Sequence, residues 1–296
     1  MVYTLYNSMA GAHFVPEQLE EKLRTFFKDE SFVLTDTTEI SDKMAYIEKL
    51  GEGDKLVIVG GDGTLNKFVN SIEDKEYPFP IYCYAGGTGN DFINDVVGVE
   101  NADGLVQIND YITNLPVVTV NGKDYKFING IGYGIDGYCC EEGDRVREKT
   151  NKSPNYTKIA IKGLLGAFKP RNAKITIDGV THEYKHVWMA PTMNGRFFGG
   201  GMMITPAQDR LNAERELSIV AVPCRSRIRI LTIFPKIFKG EHVKYDKVFK
   251  VFRGKDVHIE FEKPCALQID GETILNVKEY SAKSSALIKK KEEATV

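Results

Sequence analysis

Long apolar runs are missing from this chain of 296 residues: none approaches the roughly 18 residues that a bilayer-spanning helix requires. The opening stretch, MVYTLYNSMAG, lacks the basic flank and the apolar core of a secretory signal. A CxxC pair is missing too. The five cysteines, Cys83, Cys139, Cys140, Cys224 and Cys265, are odd in number and suit no closed disulfide set, so reduced and mostly buried thiols in a cytoplasmic protein are expected. The net charge is only −2, which excludes an overall basic field of the kind that recruits nucleic acid. There is no GxxxxGK string followed by Ser or Thr and no HRD or DFG set, which excludes a P-loop enzyme and a protein kinase. No internal repeat is present. What remains is the composition of a globular enzyme, 42% hydrophobic and 27% charged, at a length that favours two domains.

The first part alternates between strand and helix patterns. Residues 2–7, 32–35, 55–59 and 81–84 read as strands, and KLVIV at 55–59 is continuously apolar, as for a strand buried on both faces of a parallel sheet. Pro16 opens a helix over 16–28 that places Leu19, Leu23, Phe26 and Phe27 on one face; Ser41 caps a second helix ending at Leu50. Short helices are expected at 64–71 and 88–94. This predicts an open α/β sheet over residues 1–115, with 276–296 as a candidate segment to complete it.

After Pro116 the pattern changes. Asn121-Gly122 and Asp178-Gly179 are hairpin dipeptides set between alternating segments, and further strands are expected at 217–222, 247–252, 257–261 and 266–269. Residues 116–275 are therefore expected to form an antiparallel β-sandwich. A helical insert at 156–168 interrupts it, with a basic fringe of Lys158, Lys162, Lys169 and Arg171.

The chemistry concentrates in two glycine loops. In IVGGDGTLN a buried strand delivers the chain to Gly60 and Gly61, whose missing side chains let main-chain N–H groups approach an anion. Gly63, the Thr64 hydroxyl and the N-terminus of a helix that includes Asn66 add to the grip. Asp62 stands among those donors; a carboxylate there binds Mg²⁺, orients a phosphate chain, or takes a proton. AGGTGNDF repeats the device one βα unit later with Gly87, Thr88, Gly89, Asn90 and Asp91. A third loop, Asn7-Ser8-Met9-Ala10-Gly11, follows the first strand. Three such loops at neighbouring strand ends mark a phosphate site in the crevice of an open sheet.

GGDGTLN followed by GGTGNDF resembles the diacylglycerol kinase catalytic family, which includes sphingosine, ceramide and bacterial lipid kinases. NGIGYGIDG at 129–137, MNGRFFGGGMMITPAQ at 193–208, FPKIFKGEHV at 234–243 and QIDGE at 268–272 agree in order, so the resemblance covers nearly the whole chain. It implies an N-terminal nucleotide-binding domain like those of NAD kinases and phosphofructokinases, a C-terminal lipid-substrate sandwich, and ATP with Mg²⁺. It also implies nucleotide contacts at Asn7–Gly11, Thr38, Gly61–Lys67 and Thr88. Asp62 is expected to position Mg²⁺-ATP, and Asp270 or Glu272 to assist removal of a lipid hydroxyl proton. Asp270-Gly271 taken locally is a hairpin turn. Asp209, followed by Asn212 and Glu214, is the candidate for a second metal. The expected partner is a lipid at the membrane surface, most simply diacylglycerol or a relative yielding a phospholipid such as phosphatidic acid. Contact with the inner membrane face is expected to be peripheral and transient; oligomeric state is open, a homodimer among the options.

Weaker strings compete. His182-Glu183-Tyr184-Lys185-His186 matches HExxH, but it follows a DG turn in a hairpin and has no third ligand at the usual spacing, so chance strand histidines are favoured over a zinc hydrolase. Gly132–Gly137 matches GxGxxG outside a βαβ unit and reads as a place of close packing. Phe197-Phe198 and the following Gly and Met residues are candidates for an acyl-chain lip or a core edge, and Arg225, Arg227 and Arg229 for contact with anionic headgroups. A kinase for a soluble acceptor such as NAD, and a nucleotide sensor without catalysis, are the alternative functions.

Overall fold

The computed structural model describes residues 1–8, 15–86, 90–101, 104–150 and 154–286 and divides into two units, Met1–Leu115 and Pro116–Val296. In the first, strands β1 (Val2–Tyr6), β2 (Phe32–Asp36), β3 (Lys55–Gly60), β4 (Ile81–Ala85) and β5 (Leu105–Gln107) alternate with helices α1 (Pro16–Arg24), α2 (Lys43–Ile47), α3 (Asp62–Val69), α4 (Asp91–Val97) and α5 (Asn109–Ile112). The sheet order is β2-β1-β3-β4-β5. The first four strands are parallel; β5 is antiparallel to β4, an addition that the sequence pattern does not announce. As its apolar run demands, β3 is buried on both faces from Leu56 to Val59.

Three local expectations are corrected. Helix α1 ends at Arg24, so Leu19, Leu23 and Phe27 pack inward while Phe26 lies exposed beside Tyr84. Asp42, not Ser41, caps α2, accepting the Ala45 amide at 3.0 Å. Helix α3 starts at Asp62, two residues before the expected 64, because Gly61 is extended and its carbonyl already accepts the Thr64 and Leu65 amides.

The second unit contains β6 (Val117–Val120), β7 (Lys123–Lys126), β8 (Gly130–Tyr133), α6 (Ile135–Thr150), α7 (Tyr156–Lys162), a π turn (Gly163–Ala167), β9 (Arg171–Ile177) and β10 (Val180–Val187). There follow β11 (Thr192–Met193), β12 (Phe197–Phe198), β13 (Met202–Met203), β14 (Leu217–Ala221), α8 (Arg227–Ile233), two 3₁₀ turns over 234–244, β15 (Lys250–Gly254), β16 (Asp256–Ile269) and β17 (Glu272–Lys283). The main antiparallel path is β15-β14-β11-β8-β16-β17-β6-β7. Strand β16 serves two neighbours: its first half pairs β9 and its last residues pair β8, with register breaks between Glu260 and Leu267 that bracket Pro264. Inward residues of these strands, among them Ile131, Ile175, Ile219, Phe261, Leu267 and Tyr280, form one apolar core.

Both hairpin dipeptides take left-handed backbone as expected (Asn121 φ 51°, Gly122 74°; Asp178 47°, Gly179 83°). Helix α6 was not expected. The GxGxxG string is a strand running straight into that helix, and its glycines let the helix lie close: a Cβ on Gly132 would stand 1.5 Å from Asp136 Oδ2, and one on Gly137 2.0 Å from the Ala266 carbonyl oxygen. Residues 276–283, considered above for completing the first unit, run instead within β17, paired to β16 and β6; 287–296 lie outside the described residues. His182 and His186 lie on β10, a strand, and no group of three His, Cys, Asp or Glu side chains able to hold a metal occurs among the described residues.

Candidate functional site

The order β2-β1-β3-β4 reverses direction between β1 and β3, and the carboxyl ends of all four parallel strands point to one edge, the place where open α/β sheets bind ligands. From those ends emerge Asn7 and Ser8, Asp36 to Thr38, Gly60 to Thr64, and Gly86 with Asn90 and Asp91. Residues 9–14 and 87–89, among them Gly11, Gly87, Thr88 and Gly89, lie outside the described residues.

Hydrogen bonds tie the loops together. The Thr37 amide donates to the Tyr6 carbonyl (2.7 Å), and the Gly86 amide to the Gly60 carbonyl (3.1 Å). Asp36 Oδ1 accepts the Thr38 amide at 3.0 Å and the Ser8 amide at 3.5 Å. Burial works to raise the Asp36 carboxyl, but the bonds from Ser8 and Thr38 outweigh it and hold the group below the usual carboxylate range. Sequence reasoning missed Asp36; an aspartate closing a strand beside the Thr38 expected at the nucleotide was the available signal.

Asp62 joins the two glycine loops. Its Oδ2 accepts the Asp91 amide and its Oδ1 the Phe92 amide, both at 2.9 Å, so the carboxylate caps the first turn of α4 from the start of α3. Its charge is felt next door: burial first, and Asp62 second, push the Cys83 thiol up to about 12. Gly60 has to be glycine here, because a Cβ would stand 2.5 Å from Thr64 Cβ and Oγ1. Asn90 Oδ1 is buried with no hydrogen-bond partner. Asn66 sits one turn into α3, buried, with its Oδ1 turned to Asn70 at 3.2 Å. Gly61 and Gly63 thus stand at a helix start at the strand ends, while the Thr64 amide is bonded back to the Gly61 carbonyl.

In the second unit, Asp270 and Gly271 (φ 47° and 94°) form the two-residue turn between β16 and β17, the hairpin that local sequence favours. Yet the Asp270 side chain is only 6% exposed and accepts three amides: Ile128 at 2.6 Å, Asn129 at 2.8 Å and Gly130 at 2.9 Å. The same segment is held from its carbonyl side, by buried Arg210 on the Ile128 oxygen (2.6 Å) and by Asn194 Nδ2 (3.0 Å). Arg210 lies in none of the motifs read from the sequence, and Asn129 and Asn194 fall inside the 129–137 and 193–208 segments without having been given a role. Glu272, by contrast, lies exposed on the first residue of β17. Asp209 is exposed and caps a turn through the Leu211 amide (2.9 Å), Asn212 bonds to Glu216, and Glu214 pairs with Lys255 at 2.6 Å. These three are stitched into a turn and its neighbour rather than gathered around a common point, so the second-metal expectation at Asp209 finds no such cluster among the described residues.

Two family models match the chain in order: the diacylglycerol kinase catalytic domain over residues 1–120, and the YegS C-terminal NAD kinase beta sandwich-like domain over 129–282, the latter spanning just over half of the chain. The chain belongs to the diacylglycerol kinase-like family. The lipid-kinase fold so assigned has close parallels. A diacylglycerol kinase of Mycobacterium tuberculosis is 27% identical over 213 residues, 70% of this chain and 67% of that one. YtlR of Bacillus subtilis is 24% identical over 239 residues, 74% of each. A solved diacylglycerol kinase structure from Bacillus anthracis superposes with a TM-score of 0.60 at 20% identity, over 96% of this chain and 94% of that one, and so supports the fold. The family is one of kinases that act on lipids with an ATP-type nucleotide.

Proposed function

We propose that the protein transfers the γ-phosphoryl group of ATP to a hydroxyl of a membrane lipid, diacylglycerol or a close relative, giving a phospholipid such as phosphatidic acid. The observation that carries this reading is the tying of the β1 loop to the β2 loop, and of the β3 loop to the β4 loop, at the carboxyl edge of one parallel sheet, where α3 starts beside the switch point. Asn7, Ser8, Thr38, Gly60, Gly61, Gly63, Thr64, Asn66, Asn90 and Asp91 are the described residues assigned to the nucleotide; Gly11, Gly87, Thr88 and Gly89 complete the set.

Phosphoryl transfer asks mainly for positioning and charge neutralisation. Asp62 supplies the first by holding α4 against α3. It is the sole carboxylate of its loop, which fits Mg²⁺, an ion that takes most of its shell from phosphates and water and needs only one or two carboxylates. Asp62 would hold that ion, whose contribution is to neutralise phosphate charge. Of the two carboxylates at the β16–β17 turn, Asp270 has three acceptor positions occupied by amides, and we assign it to holding residues 128–130. Exposed Glu272 is assigned to the hydroxyl proton.

The test is incubation with labelled ATP, Mg²⁺ and mixed-lipid micelles. A chloroform-soluble labelled product is expected with diacylglycerol or a related acceptor. No such product with any diacylglycerol, sphingoid or glycerolipid acceptor, alongside labelling of NAD, would overturn the assignment.

A further inference from the structure

Two segments of the second unit differ in charge from the rest of the chain. Residues 154–171 and 223–240 contain nine Lys and Arg and no Asp or Glu, whereas the other residues hold thirty basic side chains against forty-one acidic ones. The fold brings these segments together. Arg227, at the start of α8, donates to the carbonyls of Leu164 (3.0 Å) and Phe168 (3.2 Å) in and just after the π turn, and lies over the Trp188 ring at 5.0 Å. Ala160 and Leu164 from one segment, and Ile230 and Ile233 from the other, pack inward on the same apolar cluster.

The outward side is unusual for an amphipathic helix. Lys158, Ile161, Lys162 and Leu165 follow one another at helical spacing on the exposed stripe, with Leu165 66% exposed. On α8 and the residue pair before it, Ile228 is 76% exposed between exposed Arg225 and Arg229. Among the described residues, Lys158, Lys162, Lys169, Arg225 and Arg229 form no ion pair, while neighbouring acids are engaged elsewhere: Glu141 and Glu142 with Arg145, Glu241 with Lys236. Beside α8 an open cleft of about 400 Å³ is lined by Lys185, His186, Pro223, Cys224 and Arg225, again without an acid.

We infer that the face shared by α7, the π turn and α8 docks the protein on an anionic bilayer. Leu165 and Ile228 enter the headgroup layer, the flanking lysines and arginines meet lipid phosphates, and the Lys185–His186–Arg225 cleft takes one headgroup. Exposed apolar side chains alone are ordinary; set among cations without ion pairs, on two segments that contain no acid, they have the charge and shape of an interfacial contact. The choice of a bilayer as partner rests on the lipid-kinase reading, since a lipid substrate is met at a membrane.

The experiment is sedimentation of the full chain with vesicles of phosphatidylcholine, and with vesicles of phosphatidylcholine and phosphatidylglycerol in equal parts. Binding is expected to the mixed vesicles and to weaken as salt rises. The quadruple variant Lys158→Gln, Lys162→Gln, Arg225→Gln, Arg229→Gln is expected to lose binding by roughly fivefold per cation removed. Leu165→Ser with Ile228→Ser is expected to lose about tenfold while keeping its thermal midpoint, both side chains being exposed. Should the glutamine variant fold poorly, Lys158→Arg with Lys162→Arg, which keeps the charge, must bind like the wild type. Equal binding to both vesicle types, unchanged binding of the variants, or retention by single-stranded RNA instead of vesicles would overturn the proposal. Vesicle binding is read without turnover, so absence of kinase activity would leave this result separate. If transfer occurs, the variants should keep it toward a short-chain acceptor dissolved as monomer and lose it toward acceptor in vesicles.

Discussion

Asp270→Asn separates a clamp from a catalytic base. Asparagine tolerates the φ of 47° at this turn position, so the backbone is left alone and the change falls on the side chain. The best placement keeps the remaining oxygen on the Asn129 and Gly130 amides and turns the new NH₂ against the Ile128 N–H, which then points donor to donor. One hydrogen bond to a charged group is lost, about 1.5–3 kcal/mol, and the other two weaken with the loss of charge. A total of about 3 kcal/mol follows, and in a unit of this size that lowers the melting temperature by roughly 6–12 °C. Differential scanning calorimetry of the variant reads this directly. Glu272→Gln, on an exposed residue, is expected to melt with the wild type yet to lose phosphoryl transfer. A melting temperature for Asp270→Asn within a degree or two of wild type, with transfer abolished, would refute the clamp and return Asp270 to the chemistry.

Further outcomes follow from the same geometry. Asp62→Asn keeps one cap on α4 and loses the other, so about 1–2 kcal/mol of stability should go, with transfer abolished; near-normal turnover would remove Asp62 from the site. Gly60→Ala should cost about 1–3 kcal/mol and weaken nucleotide binding in a fluorescence titration, because the new methyl group meets Thr64. His242 is fully buried, its Nε2–H donating to the Ile204 carbonyl at 2.9 Å while Nδ1 finds no partner, and burial outweighs that bond to lower its pKa from 6.5. The neutral ring is therefore favoured by folding, and its contribution, whole above pH 6.5, is lost as pH falls through the lower folded value. Urea midpoints measured across that range should fall toward acid for the wild type and fall less for His242→Gln.

Much of this was legible in the residues themselves. Continuous burial of KLVIV, the Pro16 helix start and the NG and DG turns all depend on local chemistry, and each formed where its chemistry put it. What stayed hidden depends on distant partners. Helix α6 has few apolar residues and is fixed by the close approach of Gly137 to the Ala266 backbone and by the Gln268 bond to Asp136, contacts across 129 and 132 positions that no window of sequence contains. Antiparallel β5 is three residues long, too short for a pattern. At the site, GGDGT announced a phosphate loop, but not that Asp62 spends both oxygens on α4, nor that Asp270 and Arg210 grip one segment from its two sides. Side-chain duties of this kind are set by which main-chain groups fold leaves unpaired, and those are known only once the chain has closed.

The central claim is that main-chain amides at the ends of β3 and β4 hold the polyphosphate of ATP. Amide hydrogen exchange with and without Mg²⁺-ATP tests it most directly. Slowed exchange at 60–66 and 90–92, with Asp62→Asn erasing the effect, is the predicted result; slowing confined to the second unit, with those two segments unchanged, would contradict it.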